Sequence, residues 1–280
     1  MSADEQASFM QGLAEALNSK EIALPSFPDV VVQIRTALED PTCTAERLAT
    51  VAKTDPVLVS RLLKSVNSAF HNRAGIEIVD LGLAISRLGF EAVRNTAITL
   101  AVEQIFDASQ HQGLKARLKV LWNNSIELSS MCYTLAHRSR KVNADNAFLC
   151  GLLHEVGKLY ILTKAQDYPN FLGNDESLDQ VMEQWSPSVG QSIVQAWGFP
   201  DEIAETMDAI NAADSQVASD PSMVDVVAAS QLLVEGAEAA LAGASRHASI
   251  DRLDITSENY DTVAETYDMH AMSMRQSISG

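Results

Sequence analysis

Apolar residues recur at three- and four-residue spacing along nearly the whole chain, and no segment sustains a two-residue alternation, so the pattern is that of helices throughout. Phe9, Leu13, Ala16 and Leu17 mark an amphipathic helix over residues 5–19. Leu24-Pro25-Ser26-Phe27-Pro28 interrupts it, and Val30, Val31, Ile34 and Leu38 give a second helix that stops at Asp40-Pro41. A third spans residues 45–53. Asp55-Pro56 opens a fourth, because aspartate can cap the free N–H groups and proline loses nothing at the first helical position. Its core face is Leu58, Leu62, Leu63 and Val66, and Asn67-Ser68 ends it. Leu81, Ala84, Ile85 and Leu88 form a fifth, closed by Gly89. A sixth covers residues 91–106, with Val93, Ala97, Leu100 and Ala101 inward.

The acidic and glutamine-rich stretch Asp107 to Gly113 reads as a joint between two lobes. Beyond it a long helix over 114–138 carries Leu118, Leu121, Trp122, Ile126, Ser129 and Cys132. Asp145 is placed to cap the next, whose face is Phe148, Leu149, Leu152 and Leu153 and whose end falls near Gly157. Further helices are predicted over 177–185, 187–197, 200–211 and 222–242, with Pro187 and Pro200 as starts and Gly198 as a stop. Residues 243–258 read as a loop, and 261–278 as a methionine-rich closing helix.

Composition narrows the function classes. The 280 residues suffice for a large core or two lobes. No apolar run reaches the roughly 18 residues needed to span a membrane. Cys43, Cys132 and Cys150 are far apart, which argues against a disulfide framework or zinc knuckle and suits a reducing cytoplasm. The net charge of −17 is uneven: between Lys164 and Arg246 there are fourteen Asp and Glu and no Lys or Arg. Such a surface repels a phosphate backbone, so nucleic acid is not an expected partner.

The chemistry-bearing stretch is Gly151-Leu152-Leu153-His154-Glu155-Val156-Gly157-Lys158-Leu159. Ionisable side chains in an apolar run need a partner or a metal. Adjacent helical residues point about 100° apart, so His154 and Glu155 cannot enclose a metal by themselves. Their spacing also differs from the i, i+4 pairs of helical metal sites. The expected arrangement is a hydrogen-bonded histidine, with Glu155 paired to Lys158 or to a backbone N–H. A residual divalent-metal site on His154 and Glu155, or a small-ligand pocket, are the alternatives. Ser65 and Ser68 lack triad partners. Asn67 reads as a capping or inter-helix hydrogen-bonding residue, and His71, His111, His137, His247 and His270 as surface side chains.

Leu24-Pro25 to Pro28, Asp55-Pro56-Val57-Leu58, Leu62 to Ala69, Ala84-Ile85-Ser86-Arg87-Leu88-Gly89, Trp122, Gly151 to Leu159 and Trp197-Gly198-Phe199-Pro200 follow one another in that order over roughly residues 22–235. Together these motifs resemble HDOD domains, the HD-related output domains of bacterial signalling. The resemblance implies an all-α, two-lobed fold: an N-terminal helix over 1–21, an N-terminal lobe over 22–110, an HD-like lobe over 111–245, and a C-terminal loop and helix over 246–280.

In HD hydrolases, histidines and aspartates from separate helices hold divalent metals. By the same resemblance the first histidine position falls on Asn124, the aspartate next to His154 on Glu155, a His-His pair on Ile210-Asn211, and the final aspartate near Ser230. No metal or cofactor is therefore expected. The implied function is a non-catalytic regulatory module that works through a protein partner or a second copy, in the cytoplasm, with no receiver, cyclase or kinase segment attached. The rivals are a metal-dependent phosphohydrolase of a nucleotide or cyclic dinucleotide, and a nucleotide sensor that binds without cleaving.

Overall fold

The structure is a computed structural model that describes residues 2–19, 27–72, 74–107, 112–214, 220–242 and 246–278, and among these every regular element is helical. The expected interruption at Leu24-Pro25, most of the 107–113 joint and His111 lie outside the described residues. In chain order the helices are α1 (Ser2–Ser19), α2 (Asp29–Leu38), α3 (Ala45–Ala52), α4 (Pro56–Asn67), α5 (Leu81–Leu88), α6 (Phe90–Asp107), α7 (Gln112–Ser139) and α8 (Ala144–Leu153). They continue as α9 (Val156–Ala165), α10 (Pro169–Leu172), α11 (Asp175–Ala196), α12 (Asp201–Ala204), a 3-10 turn at Glu205–Asp208, α13 (Ala209–Asp214), α14 (Met223–Leu241), α15 (Ala248–Arg252) and α16 (Tyr260–Ile278).

Two compact units result, each discontinuous in sequence: residues 26–105 with 258–280, and residues 1–25 with 106–257. In the first, α3 and α4 pack on α5, and α16 packs on α4. The caps are those the sequence prescribes. Asp55 accepts from the N–H groups of Val57 and Leu58 at 2.8 and 3.1 Å, and Gly89 ends α5 at φ +87°, where an L side chain is strained. Asn67 crosses from α4 to the following loop. Its Nδ2 donates to the Leu63 and Ile78 carbonyls, and its Oδ1 accepts from Ile78 N–H at 2.8 Å and from Asn72 at 3.2 Å. That loop thereby satisfies backbone groups that would otherwise be orphaned beside Val66 and Ile78. His270 is buried against Phe70, with centroids 5.2 Å apart, and is not a surface residue.

In the second unit α7 and α8 form an antiparallel pair, α9 lies on α11, and α14 packs on α7 and α8. Several features differ from the sequence expectation. Asn143, not Asp145, caps α8, accepting from Asn146 N–H at 2.9 Å. Pro187 lies inside the single helix α11, because Leu178, Val181, Val189, Ile193 and Val194 keep one buried face across the missing N–H. The stretch expected as a loop over 243–258 contains α15, anchored by Arg252 on Asp225. Asp225 is fully buried. It closes a capping box with Ser222 and accepts from Arg252 Nε at 2.7 Å, while Arg252 also donates to the Ala213 carbonyl at 2.6 Å. His247, also expected at the surface, has a mostly buried side chain with Nε2 3.0 Å from Asp214, and it caps α15.

Candidate functional site

The His154-Glu155 stretch is a break between two helices, not the last turn of one. α8 ends at Leu153, Glu155 has φ −86° and ψ 0°, and α9 begins at Val156. The reason lies in two close approaches. Gly151 is pressed against the α7 backbone, where a Cβ would sit 2.6 Å from Ser129 Cα, and Gly157 is pressed against α11, where a Cβ would sit 2.1 Å from Ser186 O. α8 and α9 follow different partner helices, and the chain turns between them at these two residues.

The turn delivers His154 towards α14. His154 Nε2 lies 2.8 Å from Gln231 Nε2. Either the glutamine N–H donates to a bare Nε2, or the amide is turned and Nε2–H donates to Gln231 Oε1; tautomer and amide orientation are fixed together. Both arrangements leave His154 Nδ1 and one amide atom of Gln231 buried without a protein partner. Burial, with a smaller contribution from the Lys158 charge, pushes the His154 pKa down to about 4, so the ring is neutral at physiological pH. Glu155 is 6% exposed, and its oxygens lie 3.2 and 3.1 Å from Lys158 Nζ, one helical turn on.

His154, Glu155 and Lys158 are therefore brought together, and the other sequence candidates are not. Asn124 is exposed on α7, and its side chain makes no hydrogen bond among the described residues. Asn211 is exposed on α13 and donates to Asp208 at 2.8 Å. Ser230 is buried beside the Cys132 thiol, whose pKa burial raises to about 12, a rise that the serine partly offsets. The residue that faces His154 is Gln231, one position beyond Ser230. A polar amide inside the apolar run Val226–Val234 was its only sequence signal. Ser125 was also missed: it is fully buried, its hydroxyl has no partner, and the antiparallel register set at Gly151 and Ser129 puts it level with His154.

The described residues form an all-α protein of two units, with a histidine-carboxylate junction between α8 and α9 and with α14 facing it. The HDOD domain matches residues 24–213, and the chain belongs to that family. Solved structures agree on the fold. A "Putative metal-dependent phosphohydrolase" from Shewanella amazonensis SB2B is 22% identical with a TM-score of 0.78, covering 96% of this chain and 99% of its own. An HDOD domain protein with unknown function from Geobacter sulfurreducens is 19% identical with a TM-score of 0.62, covering 96% and 97%. A "Putative signal transduction protein" from Marinobacter aquaeolei VT8 is 20% identical with a TM-score of 0.65, covering all of this chain and 69% of its own. An uncharacterized protein of Treponema pallidum (strain Nichols) is 25% identical over 214 residues, which is 70% of this chain and 39% of that protein's length.

The residues present do not fit the metal that HD hydrolases hold. Among the described residues no three His, Cys, Asp or Glu converge on one point. The carboxylate that remains is neutralised by Lys158, and the position opposite His154 offers an amide, a weak ligand for a divalent cation.

Proposed function

We propose that the chain is a non-catalytic regulatory module of signal transduction that acts through protein-protein contacts. The observation that carries this reading is the pairing at the helix junction: neutral His154 against Gln231, and Glu155 against Lys158. Hydrolysis of a phosphoester requires metal, lysine or arginine aimed at the charge that develops in the transition state. Here the lysine is engaged by Glu155, and residues 165–245, which include α11 and α14, contain no Lys or Arg. Membership of the HDOD family and the signal-transduction name of one structural neighbour support the regulatory side.

The test is elemental analysis of protein purified without chelator, followed by turnover assays on phosphodiesters with added manganese. The expected result is metal well below one equivalent and no turnover above background. Stoichiometric metal together with turnover that His154→Ala abolishes would overturn the reading in favour of an HD-type phosphohydrolase.

A further inference from the structure

The α7–α8 pair sets two buried polar groups level with each other. The helices touch where Gly151 lies on the backbone of Ser129. Ser125 stands one turn back from Ser129 on the same stripe of α7. His154 stands one turn on from Gly151, and its N–H still bonds the Gly151 carbonyl. Because the helices are antiparallel, these steps of about 6 Å and about 4.5 Å run in the same direction. α14 packs on both helices, which is how His154 also reaches Gln231.

Both groups are shut off from solvent and short of a partner. Ser125 is 0% exposed, and its Oγ makes no hydrogen bond among the described residues. The other buried hydroxyls of α7 behave differently: Ser129, Ser130 and Thr134 each donate to a carbonyl of the preceding turn, at 2.9, 2.8 and 2.8 Å. His154 has Nε2 engaged by Gln231, while Nδ1 is enclosed and unbonded. The Ser125 hydroxyl and Nδ1 do not bond each other, so their separation exceeds hydrogen-bond reach. Buried groups left in this way are costly, and folded proteins almost always satisfy them. The surroundings carry no net charge, since serine and glutamine are neutral and Glu155 is matched by Lys158. An ion finds no counter-charge there. A small neutral molecule that both donates and accepts fits, and water serves either tautomer, accepting from Nδ1–H or donating to a bare Nδ1.

We propose that a single buried water bridges Ser125 Oγ to His154 Nδ1 and ties α7 to the α8–α9 junction. Two polar partners suffice to hold a buried water, and one water spans two groups that cannot meet directly. This rests on the reading that the junction carries no metal, and it names what satisfies the histidine there instead.

The test is a high-resolution crystal structure of the full chain, grown without chelator or added metal, together with urea unfolding of Ser125→Ala. A single solvent peak is expected at about 2.7 to 3.2 Å from both Ser125 Oγ and His154 Nδ1. Ser125→Ala takes a partner from that water and should lower the urea midpoint. Were the hydroxyl unused, the same change would delete an unsatisfied buried group and raise the midpoint. In solution, oxygen-17 relaxation dispersion should count one long-lived water fewer in Ser125→Val, whose side chain offers no hydrogen bond. Absence of the peak, a direct Ser125–His154 hydrogen bond, a raised or unchanged midpoint, or an unchanged count of long-lived waters overturns the proposal and leaves the regulatory reading standing. A peak with the anomalous scattering of a divalent metal overturns both.

Discussion

Gly157→Ala probes the contact that forces the chain to turn at His154. A Cβ at this position would lie 2.1 Å from Ser186 O, 2.9 Å from Ser186 C and 3.0 Å from Gly190 N. All three are backbone atoms of α11, so no rotamer change can relieve them. Ordinary contact needs about 3.5 Å, so α9 and α11 must separate by more than about 1 Å along a closely packed face. Overpacking of this kind costs about 3 kcal/mol or more, against a gain of under about 1 kcal/mol from the higher helix propensity of alanine. Gly190→Ala is the matched control on the facing helix. Its nearest neighbour is the Met207 thioether at 3.2 Å, a flexible group that can turn away, so its net effect should stay within about 1 kcal/mol. Urea titration followed by circular dichroism reads both, with Gly157→Ala losing several degrees of Tm as well. If Gly157→Ala unfolded at the wild-type midpoint, or Gly190→Ala proved the more damaging, the close approach could not be what sets the helix break.

Two further predictions concern polar groups. The folded pKa of His154 is about 4 against 6.5 in the unfolded chain, so between those values the unfolded state binds more protons. The stability contributed by the neutral ring is fully present above pH 6.5 and is lost as pH falls to about 4, a change of about 3 kcal/mol. The stability difference between wild type and His154→Gln should shift by that amount across the window, and a difference independent of pH would refute the assignment. Asn67→Ala leaves the N–H and carbonyl of Ile78 without their side-chain partner beside the core. It should cost about 3 kcal/mol in urea unfolding, whereas a loss under about 0.5 kcal/mol would mean that the loop finds other partners.

The sequence by itself determined the all-α class, most of the helix bounds and the family. These rest on local physics: apolar spacing near 3.6 residues, aspartate before proline at Asp55-Pro56, and glycine at the only backbone position that closes α5. The pairing of Glu155 with Lys158 was legible for the same reason, since one helical turn separates them. Tertiary structure alone decided what each face meets. The spacing around Gly151 and Gly157 reads as one continuing helix, and only contacts with α7 on one side and α11 on the other explain why it breaks at His154. Pro187 reads as a helix start, but the buried face it shares with residues before and after it carries α11 through. Gln231 lies 77 residues from His154, and Asp225 lies 27 from Arg252. Periodicity fixes which side of a helix is apolar, but not which distant helix covers it. The partner of His154 therefore depends on α14 lying opposite the junction, which the periodicity of neither helix specifies.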